Sequence, residues 1–328
     1  MRVLVLGGTW FLGRRIVELL SQRGDEVLCI HRGPRDPDEW VSVGHLHTDR
    51  AALAAHSARL RDFAADAVVD TCAFTAADVD AVLPVLPEVP TVVLSSQDVY
   101  QAHAALLRGE CGAAVPLTED AELRRERHLY RGSGLPRVPD AYDKLDVEDR
   151  WASRSATVLR LPMTYGPYDW QRREEPVLRR LRARRRRIPI GAGNLLCSRA
   201  HVDDLAVGVL AALDNRAADG MTFNLGETTT WPVSSWYAQI IEAADGDAEL
   251  VRVPDRVLPT DLALTAAAGQ HLLASVARAQ AVLGWAPGDP VVRVAQSVRW
   301  HLEHHPEDTL WTEKDTAIDD SALALRLL

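Results

Sequence analysis

Clustered cysteines, long apolar runs and an excess of positive charge are all missing from this chain, and each absence removes a class of protein. Its four cysteines (Cys29, Cys72, Cys111 and Cys197) are widely spaced over 328 residues and form no C-x-x-C. They give no disulfide framework and read as reduced, mostly buried thiols of a cytosolic protein. No stretch approaches the roughly 18 apolar residues of a membrane span. A first strand beginning at residue 2 or 3 leaves no place for a signal peptide, so a cytoplasmic location is expected. The net charge of −9 argues against a general nucleic-acid binder. No internal repeat or low-complexity linker is evident. What is present, 47% apolar and 25% charged residues, suits a globule with one large α/β domain and a smaller lobe, or two domains.

The N-terminus is the most informative stretch. Val3-Leu4-Val5-Leu6 is a continuous apolar run, as in a strand buried on both faces of a parallel sheet. It breaks at Gly7-Gly8-Thr9-Trp10-Phe11-Leu12-Gly13, and Ile16, Val17, Leu19 and Leu20 then follow a helical period. Strand, glycine turn and helix together form a dinucleotide site. Gly7 permits the turn, Gly8 leaves room for a pyrophosphate, and Gly13 lets the helix start close to the strand. The helix N-terminus offers N–H groups and partial positive charge to phosphates. Trp10 stands where the usual fingerprint has its middle glycine.

These residues resemble the Gly-Gly-Thr-x-Phe-Leu-Gly variant of the short-chain dehydrogenase/reductase superfamily, in its extended or atypical branch, the NAD(P)-dependent epimerase/dehydratase family. The resemblance implies a doubly wound parallel Rossmann sheet with a smaller C-terminal substrate lobe. The dinucleotide domain is expected over residues 1–166, rejoined by about 197–226. The lobe is expected over 167–196 and 227–305, and a tail over 306–328.

A second strand is expected over Glu26–Ile30. An NAD enzyme usually ends it with an acid on the ribose hydroxyls. This chain has His31-Arg32, and cationic Arg32 suits a 2′-phosphate, so NADP is favoured, with NAD possible. In the superfamily the third strand often ends with an Asp at the adenine, which makes Asp49, with Arg50 beside it, a cofactor candidate. His45 and His47 alternate onto one strand face and could be read as a metal pair. No third ligand is evident, and no metal is expected.

Ala67–Asp70 forms a fourth strand, followed by Thr71-Cys72-Ala73, which the resemblance places beside the cofactor. Pro90–Leu94 is the fifth, running into Ser95-Ser96-Gln97-Asp98-Val99-Tyr100, similar to the Ser-Ser-x-x-Val-Tyr segment of extended members. There the second serine, here Ser96, bonds the reacting substrate oxygen. The alternative is a serine-rich strand end that caps a helix. Sugar-dehydratase members carry an acid pair where Gln97 and Asp98 stand. Gln97 cannot act as an acid, whereas Asp98 can act as a base, so redox chemistry or epimerisation is expected rather than dehydration.

Residues from about 101 to 140 read poorly as regular structure and are expected to edge the substrate pocket. Asp140-Ala141-Tyr142-Asp143-Lys144-Leu145-Asp146-Val147-Glu148 only partly fits the superfamily's Tyr-x-x-x-Lys signature. Anchoring on Lys144 keeps Glu148 as the acid four residues on and puts Asp140 at the tyrosine position. In that register Lys144 holds the nicotinamide ribose, and Tyr142 is the nearest proton carrier. A phenol works as a base near neutrality only if a neighbouring ammonium lowers its pKa. On one helix Tyr142 and Lys144 would face apart, an objection that weakens if Tyr142 precedes the helix.

Thr157–Leu161 is the sixth strand, and Leu161, Pro162 and Met163 follow the family's path past the cofactor into Tyr165-Gly166-Pro167. Members handling nucleotide sugars often carry Asn at the place of Met163, which puts a sugar-nucleotide substrate in doubt against another biosynthetic intermediate. Tyr165, Gln97 and Arg199 are candidate substrate ligands. Arg199-Ala200-His201-Val202-Asp203 resembles the segment that returns to the main sheet, with Asp203 as a helix cap. Phe223–Gly226 and Leu283–Pro287 match further family turns. The arginine-rich run Leu178–Arg187 reads as a solvated helix face.

The expected function is hydride transfer between a nicotinamide and a hydroxyl or keto carbon of a small polar molecule, by an oxidoreductase or epimerase. The alternative is a cofactor-binding sensor or RNA-associated protein on the same fold. A homodimer is expected, packed through the face that carries Val147 and Trp151, with no membrane or nucleic-acid partner.

Overall fold

The computed structural model describes residues 1–33, 40–304 and 310–326. Pro306, at the start of the tail, and Leu327 and Leu328, at its end, lie outside them. The chain runs β1 (Arg2–Leu6), α1 (Phe11–Gln22), β2 (Glu26–His31), β3 (Gly44–His47), α2 (Ser57–Phe63), β4 (Ala67–Asp70), α3 (Ala76–Asp80), β5 (Thr91–Ser96), α4 (Gln101–Leu107) and α5 (Lys144–Trp151). It continues through β6 (Thr157–Leu161), β7 (Met163–Tyr165), α6 (Glu175–Arg182), β8 (Arg187–Ile190), β9 (Arg199–His201) and α7 (Val202–Asp214). The remainder is β10 (Thr222–Asn224), α8 (Val233–Ala243), β11 (Glu249–Arg252), α9 (Ala277–Leu283), α10 (Pro290–Glu303) and α11 (Glu313–Leu323).

Seven strands form one parallel sheet in the order β10-β6-β5-β4-β1-β2-β3. Alternation along each strand divides the core. Val3, Val5, Val27, Val69 and Leu94 face a layer that includes Ile16 and Leu20 of α1 and Leu205 and Val209 of α7. Leu4, Leu6, Leu28, Val68 and Val93 face the layer of Leu60, Val79, Val147 and Trp151. The chain reverses direction across the sheet between β1 and β4, which opens a crevice at the carboxyl ends of those strands. A third core, with Val177, Ile188, Trp236, Ile240 and Val298, makes the smaller lobe around the β8–β11 pair.

Several expectations shift. The fifth strand continues through Ser96, and 101–107 is a helix within the stretch expected to be irregular. β9 pairs with β7 in a separate two-stranded sheet, and the chain rejoins the main sheet only at β10. His201 rather than Asp203 caps α7: its Nδ1 accepts the Asp203 N–H, leaving the Asp203 carboxylate to accept from Arg15 at 2.7 Å. Val147 and Trp151 are 0% and 1% exposed within the chain's own core, so they are not a dimer face.

The arginine run is a solvated face only in part: Arg184 and Arg186 are exposed, but others are buried or paired. Arg180 is 2% exposed and donates to both Asp319 oxygens at 2.8 Å and to Asp261 at 2.7 Å. Arg179 pairs with Asp315 at 2.8 Å, Arg185 with Asp320, Arg186 with Asp247 and Arg187 with Glu249. The pairs to Asp315, Asp319 and Asp320 dock α11, capped by Thr312 and Asp315, onto the lobe. Breaking a buried pair strands a charge, at about 3–5 kcal/mol. Arg180 keeps Asp261, so Asp319→Ala is expected to lower the unfolding free energy by about 3 kcal/mol in urea, while Lys314→Ala on the exposed side of α11 stays within about 0.5 kcal/mol. Equal losses would show that the pairing does not hold the helix.

Candidate active site

The turn after β1 is built as its residues require. Gly7 and Gly8 take φ of 95° and 103°. A Cβ on Gly8 would point inward to within 2.7 Å of the Cys29 sulfur, so its small size serves the packing of α1 rather than only an approaching phosphate. A Cβ on Gly13 would meet the Gly8 backbone N at 2.8 Å, so glycine there lets the helix start against the turn. No side chain caps α1, and its first turn carries no acid. Thr71 Oγ1 donates to the Leu6 carbonyl at 2.8 Å and closes the far wall. The cradle suits a dinucleotide pyrophosphate. Leu12 is turned into the core, leaving only its backbone toward the turn. Over Trp10 lies Arg137, 4.1 Å from the ring centroid, so the irregular segment after α4 covers this turn.

At the ends of β2 and β3, Arg32 is exposed. His31 Nε2 lies 2.7 Å from His45 Nδ1, and the His31 and His47 ring centroids are 4.8 Å apart. The third ring that the sequence did not offer is therefore His31. Asp49 caps the following turn through the Ala51 N–H. Arg50 is committed to both oxygens of Asp70 at 2.8 Å and to Cys72 at 3.3 Å, a wall of the crevice rather than a free cation.

The reactive groups gather beyond β5. Asp98 is 5% exposed. Its Oδ2 accepts from the Tyr142 hydroxyl at 2.8 Å and from Tyr130 at 3.5 Å, and its Oδ1 is buried with no partner among the described residues. The Tyr130 hydroxyl lies 2.9 Å from His103 Nε2. Ser96 Oγ accepts the Asp98 N–H at 3.1 Å. Burial first, then the Asp98 carboxylate, pushes the Tyr142 phenol well above its ordinary value, so it rests neutral. Burial pulls the His103 imidazole down.

Asp143 caps α5, so Tyr142 lies just before the helix and the facing objection disappears. Asp140, which the lysine register puts at the tyrosine position, is exposed and accepts from the Gly132 N–H, while Tyr142 is the group that reaches Asp98. Lys144 Nζ is buried, donating to the Ala73 carbonyl at 2.6 Å and the Leu94 carbonyl at 2.9 Å. Burial lowers its pKa, with Asp70 and Asp98 opposing. Glu148 accepts from Ser95 and pairs with Arg160, so Ser95 and Glu148 hold α5 to the sheet.

The candidate substrate ligands are less available. Gln97 spends its amide on the Arg160 and Leu225 carbonyls. Tyr165 is fully buried and donates to Glu227 at 2.6 Å. Arg199 is 1% exposed, donates to the Trp231 carbonyl, and keeps Nη1 without a partner among the described residues. Met163, Leu161 and Pro162 are half-buried at the end of β6. Sequence reasoning missed Tyr130, His103 and Arg124. They sit in or beside the irregular stretch, and no local pattern ties them to Asp98.

The doubly wound sheet with a glycine turn at its switch point is a fold this chain shares with solved structures of low sequence identity. The solved structures it resembles include UDP-glucose-4-epimerase from Stenotrophomonas maltophila with bound NAD, with TM-score 0.71, 17% identity, and coverage of 93% of this chain and 98% of that one. dTDP-glucose 4,6-dehydratase from Bacillus anthracis in complex with NAD gives TM-score 0.69, 15% identity, and 94% and 98% coverage. Among curated proteins, the chain is 28% identical to chloroplast stem-loop binding protein of 41 kDa b from Arabidopsis thaliana, over all of this chain and 85% of that one. No protein-family model matches the chain. Among the described residues no helix is long and apolar enough to cross a membrane.

One buried pair aligns the cluster. Arg124, 3% exposed, donates to Asp143 at 2.6 and 3.1 Å and to the Asp98 carbonyl at 3.0 Å. Burial raises the Asp143 pKa, but Arg124 and the His128 and Leu145 N–H groups outweigh it, and the net shift is downward from 3.8. A depressed carboxylate contributes stability that is complete above the unfolded pKa and is lost as pH falls through the folded value. Arg124→Ala is expected to cost about 3–5 kcal/mol at pH 7. The gap from wild type should narrow on acidification below about pH 4, as read by denaturant titration across pH. A gap that widens in acid would contradict this sign.

Proposed function

We propose that this chain is an oxidoreductase or epimerase that binds a nicotinamide dinucleotide and acts on a hydroxyl or keto carbon of a small polar molecule. The observation that carries the reading is the Tyr142 phenol at 2.8 Å from the buried Asp98 carboxylate, with the Ser96 hydroxyl held beside them on the Asp98 backbone N–H. The dinucleotide would lie on the turn of Gly7, Gly8 and Gly13, with the Thr71–Ala73 edge beside it, and would supply or accept the hydride. Ser96 holds the substrate oxygen. In oxidation the substrate hydroxyl proton passes to the Tyr142 oxygen as the Tyr142 proton passes to Asp98 Oδ2, and reduction reverses both transfers. The ordinary device, an ammonium that lowers the phenol, is replaced here by a carboxylate that receives its proton. Lys144, tied to the Ala73 carbonyl at the cofactor edge, is the group that orients the ribose. The Gln97 amide supplies no acid for a leaving hydroxide, which favours redox chemistry or epimerisation over dehydration.

Exposed Arg32 at the end of β2 supports NADP over NAD. A homodimer and a cytoplasmic location remain part of this reading, with a dimer face other than Val147 and Trp151. The name of the Arabidopsis relative suggests an RNA-associated alternative. The arginine run gives it little support, because its cations are largely paired with carboxylates.

Calorimetry is expected to show NADP bound more tightly than NAD by about 1.5–3 kcal/mol, the scale of a charge-assisted contact, and Arg32→Ala should erase the difference. Tighter NAD binding would reverse the preference, and binding of neither would sink the cofactor reading. With 4-deuterated cofactor and a panel of ketones, label transfer by the wild type is expected to fall about 10²–10⁴-fold in Tyr142→Phe and in Asp98→Asn, with cofactor affinity unchanged. Full transfer by either variant removes it from proton transfer, and a wild type that labels no ketone argues against hydride chemistry.

A further inference from the structure

We propose that His31, His45 and His47 form a binding site for one transition-metal cation, of the zinc, nickel or copper class, at the carboxyl ends of β2 and β3. The pairing register creates it. Cys29 stands opposite His45 and His31 opposite His47 on neighbouring parallel strands. Paired residues share a face, so two rings from β3 and one from β2 rise on the same side. One ring nitrogen from each lies within 4.8 Å of the others. The ring centroids are 5.0 Å (His31–His45), 4.8 Å (His31–His47) and 5.8 Å (His45–His47) apart. Imidazole nitrogens about 2.0–2.1 Å from a tetrahedral cation stand about 3.4 Å from one another, so small ring rotations bring the three onto one point.

The protonation pattern shows where the cation would sit. His31 Nδ1 accepts the Gly33 N–H at 3.2 Å, which leaves the proton of the neutral ring on Nε2, facing His45 Nδ1 at 2.7 Å. That proton occupies the space between two converging nitrogens. A cation taking its place moves the His31 proton to Nδ1 and turns the Gly33 amide aside. Gly33, with φ 95°, is free of the side chain that would resist this. The strand itself is anchored, because Arg59 donates to the His45 carbonyl at 2.7 Å. His47 is exposed, which leaves an entry path and a fourth position for water. An all-imidazole set suits this metal class rather than calcium or magnesium. The other cluster of this kind among the described residues, His128, Asp143 and Asp146, is unavailable because Asp143 is held by Arg124.

The site adjoins Arg32 but does not rest on the hydride reading, and its test needs no substrate. Protein without a polyhistidine tag is titrated with Zn²⁺ by calorimetry and with Co²⁺ by visible absorption. The expected result is one ion per chain, with the intense d–d bands of low-coordinate nitrogen ligation. His31→Asn, His45→Asn and His47→Asn should each weaken Zn²⁺ binding more than about tenfold, while His304→Asn should not. Melting curves followed by circular dichroism confirm that each variant is folded, and Zn²⁺ should raise the midpoint of the wild type and of His304→Asn but not of the other three. No saturable binding, an octahedral aqua-like Co²⁺ spectrum, or affinity unchanged in the three folded variants would overturn the proposal.

Discussion

The candidate active site depends on the ion pair between Arg124 and Asp143. Both side chains are almost wholly shielded from water, where neither charge is tolerable without the other. Asp143 is also the N-cap of α5, so the pair sets where that helix begins and thereby separates Tyr142 from Lys144. The same guanidinium takes the Asp98 carbonyl. A single cation thus places the Asp98 carboxylate, the Tyr142 phenol and the Lys144 ammonium relative to one another, and does so from a segment without regular structure.

That arrangement changes the acid–base logic expected of the fold. A phenol near an ammonium ionises early. Here the ammonium of Lys144 donates to two carbonyls, and the phenol of Tyr142 meets the buried carboxylate of Asp98. Burial and the carboxylate both favour the neutral phenol, so a proton moving through Tyr142 has Asp98 as its partner. Tyr130 makes a second, longer contact to Asp98 Oδ2, and His103 lies against the Tyr130 hydroxyl and extends the polar chain away from Ser96.

Charge plays a different part in the lobe. The arginines of α6 and the chain after it look, by composition, like a surface for anions. The anions they meet are the chain's own, Asp261, Asp315, Asp319 and Asp320, and the outcome is a docked C-terminal helix. A net charge of −9 is consistent with a basic run that is answered locally.

The sequence by itself determined the strand–turn–helix at residues 2–22, the buried strand at 67–70 and the one at 157–161. In each, apolar continuity and glycine placement act over a few neighbouring residues, which is the range a local pattern can encode. It also marked Ser96 and Asp98 as reactive types after the fifth strand, and Tyr142 as one beside Lys144. Only the tertiary structure decided which of them meet. Tyr142 reaches Asp98 across 44 residues, Arg124 reaches Asp143 across 19, and Arg180 reaches Asp319 across 139. His31 joins His45 and His47 because β2 pairs with β3 in one register. A slip of one residue would turn those rings to the other face. Register, burial and long-range charge pairing depend on the whole fold, so the partners could not be read from the residues flanking either member of a pair.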